Sequence, residues 1–103
     1  MATHFTVNQA IEVIRLNVKP ENVAAFLEGR AEVEKFTHTL QGHISTELID
    51  LDAEHWLMLI RWESEEAVQA AQKLTATASV ISDWLRRTAE FVPFDTGVAK
   101  YIA

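Results

Sequence analysis

Residues 55–71 read HWLMLIRWESEEAVQAA, and this stretch decides the fold. Five consecutive apolar residues, from Trp56 to Ile60, predict a strand that is covered on both faces, because neither set of alternating side chains is polar. Ser64 follows as a predicted helix N-cap, since its hydroxyl can accept a hydrogen bond from a first-turn amide. The two glutamates after it suit the positive end of a helix. The stretch therefore predicts a buried strand that runs directly into a helix.

The apolar period and the turn residues place the other elements around this unit. The predicted elements are a strand at Ile11–Val18, a helix that starts around Pro20, a connector at Phe36–Gln41, a strand at His43–Leu51, the strand at His55–Glu63, a helix from Glu65, a break at Thr75–Ser79, a helix over Val80–Phe91 and a strand at Val98–Ile102. Strict alternation along His43–Leu51 puts His43 on the opposite face from Thr46. Gly29 lies inside the first helix, where it predicts close packing against a neighbour.

This order of elements predicts an α+β fold, the ferredoxin-like βαββαβ plait, with a four-stranded antiparallel sheet and helices on one face. At 103 residues we expect a single domain, residues 1–103, with 1–9 as a loose lead-in. The other sheet face stays uncovered, yet two strands are apolar on both sides. We therefore expect a homodimer through the open sheet face. A monomer whose second face is only partly apolar is the alternative.

Charge and composition exclude several partners. The net charge of −6 disfavours nucleic acid and anionic membrane surfaces, which both need a basic patch. The chain contains no cysteine, and no cluster of His, Asp and Glu has metal-ligand spacing, so we expect no metal site. The N-terminal residues do not resemble a secretory signal, and no apolar run approaches the length of a membrane span. We expect no membrane association and a cytoplasmic location.

The candidate ligand-binding residues share one face of the third strand. Trp56, Met58, Ile60 and Trp62 alternate along it. A pocket lined by these side chains suits a flat, apolar small molecule, whereas a plain hydrophobic core under the helices is the alternative. Trp84 on the last helix either closes such a pocket or simply packs.

Two histidines are candidates for proton transfer. His38 and His43 flank the corner before the second strand, from which they can reach the mouth of a pocket. Placement of both side chains at the surface or the sheet edge is the alternative.

The sequence resembles the antibiotic biosynthesis monooxygenase (ABM) family. The resemblance rests on Val18-Lys19-Pro20-Glu21, Phe26, Gly42 and above all the run RWESEEA at 61–67. It implies a dimeric α/β barrel with a pocket between sheet and helices, no cofactor, and oxygenation of an aromatic or quinol-like small molecule. By the same resemblance the family's tryptophan matches Trp62.

The resemblance also implies limits on the chemistry. Haem-degrading members carry a histidine in the region that reads VQAAQK here (68–73), and an asparagine where this chain has Val13, so haem degradation is not expected. Polyketide oxygenases of the family carry an asparagine where this chain has Met58. Two hypotheses follow: a cofactor-independent monooxygenase, or a non-catalytic small-molecule-binding or stress-associated dimer.

Overall fold

A computed structural model describes residues 5–52, 54–77, 79–91 and 95–103, with only the backbone at 76, 77 and 91. The elements in chain order are β1 (Ala10–Asn17), a 3₁₀ turn (Pro20–Asn22), α1 (Val23–Thr37), β2 (His43–Asp50), β3 (His55–Trp62), α2 (Glu65–Thr77), α3 (Val80–Thr88), β4 (Glu90–Phe91) and β5 (Asp95–Val98). α2 and α3 are separate helices, as the predicted break requires, but α2 continues to Thr77, so the predicted break at Thr75–Ser79 begins too early; residue 78 lies outside the described residues.

The strands form one antiparallel sheet in the order β2-β3-β1-β4, and β5 also pairs with β1. Since β3 pairs with β1 along its whole length, β4 and β5 share the other edge of β1 and together fill the fourth position. This arrangement confirms the predicted α+β, ferredoxin-like sheet with helices on one face.

The ends of several elements differ from the sequence prediction. The last strand is Asp95–Val98 and not Val98–Ile102, because its pairing with Ala10–Val13 overrides the poor strand propensity of Asp and Gly. α1 continues to Thr37, so the predicted connector begins too early. α3 ends at Thr88 and not at Phe91, since Ala89 is already extended and the chain enters β4.

The core lies between the sheet and the helices. Trp56, Met58, Ile60 and Trp62 are all buried on this side, as their alternation predicts. They pack in one cluster with helix residues such as Phe26. Fully burying a large apolar side chain contributes roughly 1.5–3 kcal/mol, so this face of β3 is a main source of stability. The predicted N-cap is also present, because the Ala67 amide donates to Ser64 Oγ at 3.2 Å.

The face of the sheet that points away from the helices has a mixed surface. Its apolar side chains on β1 and β3, which include Val13 and Leu59, are half-buried in the single chain. Arg15 forms an ion pair with Asp95 at 3.3 Å across the edge strand. The Arg61 guanidinium lies 4.2 Å from the centroid of the Phe5 ring. We call this surface the open face.

The end of the N-terminal lead-in is hydrogen bonded to the C-terminal segment. The amide of Asn8 donates to the carbonyl of Ala99 at 2.7 Å, and the amide of Ala99 donates to the carbonyl of Gln9 at 2.9 Å. These bonds extend the pairing of β5 with β1 beyond the strand ends. Residues 8 and 9 therefore belong to the folded unit.

Gly29 is required by the contact between α1 and α3. A Cβ placed at this position would lie 2.4 Å from Cδ1 of Trp84. That indole is fixed, because it stacks on Phe26 with centroids 4.8 Å apart and donates its N–H to the Phe26 carbonyl at 2.8 Å. The predicted close packing at Gly29 is confirmed.

Gly29→Ala should lower the free energy of unfolding by about 1–3 kcal/mol, although alanine is the better helix former. The reason is that the indole of Trp84 must leave its position to admit the methyl group. Urea unfolding measures the effect, and Gly97→Ala is the control, since a Cβ there meets nothing within 4 Å. Equal or greater stability of Gly29→Ala would contradict the packing described here.

Candidate functional site

A buried carboxylate lies at the centre of the candidate site. Glu12 is on the inward face of β1 and is only 7% exposed. The indole Nε1 of Trp62 donates to Glu12 Oε1 at 2.8 Å, and the Gln72 side-chain amide donates to Oε2 at 3.3 Å. Strands β1 and β3 and helix α2 thus each supply one polar group. Each carboxylate oxygen receives one neutral donor and keeps lone pairs for a further partner.

The environment favours the protonated form of this carboxyl group. Burial is the largest effect and raises the pKa of Glu12, while the hydrogen bonds from Trp62 and Gln72 partly oppose it. Both of these partners are neutral, so neither offers the carboxylate an opposite charge. A carboxyl group with a raised pKa in a cleft is a typical candidate for proton transfer.

An apolar cavity of about 150 Å³ adjoins Glu12. The sheet contributes Ile14, Met58, Ile60 and Trp62 to its wall, and the helices contribute residues that include Leu85. Glu12 and Gln72 lie at one side of this space. Three of the residues that the sequence predicts for a pocket, Met58, Ile60 and Trp62, therefore line it.

A second cavity of about 240 Å³ lies next to the first. The two share four wall residues, which are Val33, Thr37, Thr46 and Met58. Trp56, another predicted pocket residue, lines this second cavity. Together the two spaces follow the inward face of β3 from Trp62 to Trp56.

The structure places Trp84 elsewhere. Its indole packs between α1 and α3 against Phe26 and Gly29. Trp84 is not among the described residues that line the two cavities. Of the two roles predicted for Trp84, packing in the core is the one that the structure shows, and Trp84 does not close the pocket.

A bulge in β2 moves His43 to the inward face. His43 is opposite Trp62 and Ser45 is opposite Arg61, so Ile44 is an extra residue between them. Strict alternation therefore gives the wrong face for His43. Its ring lies edge-on to Trp62, with centroids 5.4 Å apart, and its Nε2 is 2.7 Å from the hydroxyl oxygen of Thr46.

The two candidate histidines are neighbours. The ring centroids of His38 and His43 are 5.3 Å apart, with His38 exposed at the end of α1 and His43 half-buried. Burial lowers the pKa of His43, and the like charge of His38 lowers it further. Both effects favour the neutral imidazole, and His43 contacts two residues of the cavity wall, Thr46 and Trp62.

We expect His43 to titrate below the ordinary histidine pKa of about 6.5 in an NMR titration of the ring nitrogens. His38→Asn should raise that pKa only part of the way, because burial is the larger cause of the shift. His55→Asn is the control, since His55 is exposed in the β2–β3 hairpin and bonded to Asp52. A His43 pKa at or above the ordinary value would contradict this geometry.

Sequence reasoning missed the most informative residue of the site. Glu12 stands in β1 between Ala10 and Ile14, so it is the only charged side chain on the inward face of that strand. A charged residue on an otherwise apolar strand face is the sequence feature that could have identified Glu12. Gln72 carried no signal of its own, because its role depends on how α2 lies over the sheet.

In the part of the chain that the structure describes, no group of three or more His, Asp or Glu side chains is placed to hold a metal ion. Among the described residues there is also no helix of the length and apolar character needed to cross a membrane.

The fold and cavity define a small α+β protein with an open antiparallel sheet and a mainly apolar cavity beside one buried carboxyl group. The chain belongs to the antibiotic biosynthesis monooxygenase family, whose model matches residues 10–80. No curated protein matches it significantly.

Several solved structures share this fold. SnoaB from Streptomyces nogalater, a cofactor-independent oxygenase, superposes with a TM-score of 0.73 at 17% identity, over 92% of this chain and 96% of that one. A putative antibiotic biosynthesis monooxygenase from Nitrosomonas europaea gives 0.68 at 13% identity, over 96% and 95%. A protein of unknown function from Bacteroides thetaiotaomicron, described as a possible oxidoreductase, gives 0.70 at 14% identity, over 90% and 99%. At these identities the likeness establishes the fold alone.

Proposed function

We propose that the cavity binds a flat aromatic molecule with at least one hydroxyl group, and that Glu12 accepts the hydroxyl proton in a cofactor-independent monooxygenation. The observation that carries this proposal is the buried Glu12 carboxyl group at the edge of an apolar cavity. The structural similarity to SnoaB, which is a cofactor-independent oxygenase of the same fold, also supports the proposal.

The carboxyl group suits this task for two reasons. Its raised pKa brings it closer to that of an aromatic hydroxyl group, which favours proton transfer between them. The bonds from Trp62 and Gln72 fix both oxygens, so the carboxylate is already oriented when a ligand arrives. The wall around the anion that forms is mostly apolar.

The proposed reaction uses molecular oxygen as the oxidant. The hydroxyl proton moves to Glu12, and the resulting anion donates electrons from a ring carbon to O₂, which forms a carbon–oxygen bond. Glu12 returns the proton to the peroxide. The O–O bond then breaks as the same carbon loses its hydrogen, so that a carbonyl group and one water molecule are formed. The substrate is oxidised and O₂ is reduced, with one oxygen atom in the product and one in water.

The size of the cavity limits the ligand. A dry cavity of about 150 Å³ admits a single aromatic ring such as benzene. Movement of the shared wall at Val33, Thr37, Thr46 and Met58 would join it to the second cavity and admit a larger ring system. We therefore propose substrates with one to three fused rings.

The open face is the proposed dimer interface. It carries half-buried apolar side chains on β1, β2 and β3, among them Val13, Ile49, Leu57 and Leu59. A second copy of this surface would remove them from water, which is the usual role of an extended apolar patch. The ion pair between Arg15 and Asp95 lies at the edge of this surface.

Oxygen uptake with 1,4-dihydroxynaphthalene tests the proposed activity. The rate with protein is compared with the spontaneous rate and with heat-inactivated protein, and the product is analysed after reaction under ¹⁸O₂. Monooxygenation puts one labelled oxygen atom into the product. Spontaneous dehydrogenation gives the unlabelled quinone and hydrogen peroxide. Labelled product above background supports the proposal, whereas its absence over a series of one- to three-ring substrates contradicts it.

A second candidate function is binding without chemistry. The observation that favours it is Met58, which is buried in the cavity wall where the resemblance to polyketide oxygenases would place an asparagine. Saturable binding of the same aromatic molecules without any labelled product would establish this second function.

A further inference from the structure

A cavity at the surface lies between α2 and β5 and has a volume of about 240 Å³. We call it the outer cavity; its wall consists of Glu65, Val68, Gln69 and Gln72 of α2 and Thr96, Gly97 and Val98 of β5. Most of these residues are exposed, so the outer cavity is open to solvent. Thr96 is directly opposite Glu12 in the strand register. The outer cavity therefore approaches Glu12 from the side of β1 that faces away from β3.

Gln72 contributes to the walls of two cavities. It lines the apolar cavity beside Glu12 and also the outer cavity, and among the described residues it is the only member of both walls. Its side chain is half-buried, and its amide donates to Glu12 Oε2 at 3.3 Å. The side chain of Gln72 thus stands between the buried carboxyl group and solvent.

Of the two partners of Glu12, Gln72 is held less firmly. Its hydrogen bond is 3.3 Å long, whereas the bond from Trp62 is 2.8 Å long, and longer hydrogen bonds are weaker. The Trp62 side chain is also buried in the core, while Gln72 lies on a helix that is exposed on its other side. Rotation of the Gln72 side chain breaks one long hydrogen bond and leaves the amide free to bond to water.

We propose that Gln72 is a positioning residue that separates Glu12 from the outer cavity, and that rotation of its side chain lets Glu12 exchange its proton with solvent there. This inference rests on the proposed function, which requires an ionised Glu12 each time a ligand binds. A ligand in the apolar cavity covers one side of the carboxyl group, so the outer cavity is the side that stays open. The proton passes from Glu12 to a water molecule and leaves with the solvent, and no electrons are transferred.

The described residues place few ionisable groups around this path. Glu65 of α2 is in the wall of the outer cavity, and Glu12 itself is in the wall of the apolar cavity. His43 of β2 contacts Trp62 on the other side of the site. In the described part of the chain, α1, α3 and β5 contribute no ionisable side chain to either wall. The pKa of Glu12 in variants of Gln72 therefore reports on hydrogen bonding and on access of solvent.

Two substitutions of Gln72 should move the pKa of Glu12 in opposite directions. Gln72→Met keeps a side chain of similar length but loses the amide, so the pKa should rise, because a hydrogen bond that lowers it is removed. Gln72→Ala also opens the wall between the two cavities. Since burial is the largest cause of the raised pKa, access of water should lower the pKa towards its ordinary value of 4.5.

A ¹³C NMR titration of the carboxyl carbons measures these pKa changes. Gln69→Ala is the matched control, because Gln69 lines the outer cavity but not the apolar cavity, and it should leave the pKa of Glu12 unchanged. Alanine and methionine are both good helix formers, so α2 should fold in each variant. A rise of the Glu12 pKa in both Gln72 variants would overturn the inference, because Gln72 would then act only as a hydrogen-bond donor.

Hydrogen exchange of the tryptophan side chains in D₂O gives a second readout. The Trp62 indole N–H is bonded to Glu12, whereas the Trp84 indole N–H is bonded to the Phe26 carbonyl, away from both cavities. Gln72→Ala should accelerate exchange at Trp62 by about tenfold or more and leave Trp84 unchanged, because only the local barrier to water is removed. Gln72→Met should not accelerate either. Equal acceleration at both indoles in Gln72→Ala, or none at Trp62, would contradict the inference.

Failure of the inference and failure of the proposed function give different results, because these two measurements need neither ligand nor turnover. If Glu12→Gln leaves the rate of labelled-product formation unchanged while the pKa changes occur as expected, the catalytic role of Glu12 is wrong and the path to solvent at Gln72 is supported. If Glu12→Gln lowers that rate while both Gln72 variants raise the pKa, the role of Glu12 is supported and the inference about Gln72 is wrong.

Discussion

Glu12→Gln is expected to lower the rate of labelled-product formation by about 10²–10⁴-fold, the usual contribution of a general base. Glutamine preserves the size of the side chain and can still occupy the site beside Trp62 and Gln72. It has no basic oxygen that could take up the hydroxyl proton. The measurement is the initial rate of ¹⁸O incorporation, corrected for the spontaneous reaction.

The matched control is Glu28→Gln, the same chemical change at an exposed position of α1. It should leave the rate within a factor of about two, because surface substitutions away from a site have small effects. Equal rates for Glu12→Gln and the wild type would contradict the proposed role of the carboxyl group.

The same substitution should also change the pH dependence of stability. Because the pKa of Glu12 is raised in the folded state, the folded protein binds this proton more tightly than the unfolded chain does. The associated stability is present below the unfolded pKa and is lost as the pH rises through the folded pKa. Glu12→Gln should remove that loss, so the variant should gain stability relative to the wild type as the pH rises above 4.5. Urea unfolding at a series of pH values measures it.

Leu59→Glu is expected to weaken dimerisation by about 100-fold or more, because it puts one uncompensated charge per protomer into the proposed interface. Leu59 lies in the middle of β3 on the open face, between Val13 of β1 and Glu47 of β2 in the strand register. In a dimer the introduced carboxylates would lose water, and each would lie beside Glu47 of the neighbouring strand, which adds like-charge repulsion. Sedimentation velocity at micromolar concentration measures the mass, with a dimer for the wild type and a monomer for the variant.

Leu51→Glu is the control for this prediction, since Leu51 is an exposed leucine beyond the end of β2. It should retain the wild-type mass. A wild-type chain that sediments as a monomer would contradict the proposed use of the open face.

The sequence was sufficient to predict the fold because its strongest signals are local. Alternation of Trp and aliphatic residues along β3 defines the buried face, and Ser64 defines the start of α2. Gly29 predicted close packing of α1 against a neighbour but not which residue that neighbour is. That partner, Trp84, is fixed only when α3 is laid against α1.

The site was harder to predict because it depends on contacts between distant residues. A lone Glu12 in an apolar strand does not reveal which donors meet it, and its partners lie 50 and 60 residues away. The bulge at Ile44 has no clear signature in the sequence, yet it decides that His43 faces Trp62. The edge strand β5 was misplaced because its residues have weak strand propensity and depend on pairing with β1.

The protonation of Glu12 tests the central claim most directly. A ¹³C NMR titration of the side-chain carboxyl carbons, with Glu12→Gln used to assign the resonance, gives the pKa of this group in the folded protein. A pKa above the ordinary value of 4.5 is expected, because burial outweighs the two hydrogen bonds. A pKa at or below that value would mean that burial does not strengthen the proton affinity of this carboxylate, and it would contradict the raised pKa on which the proposed role of Glu12 as proton acceptor depends.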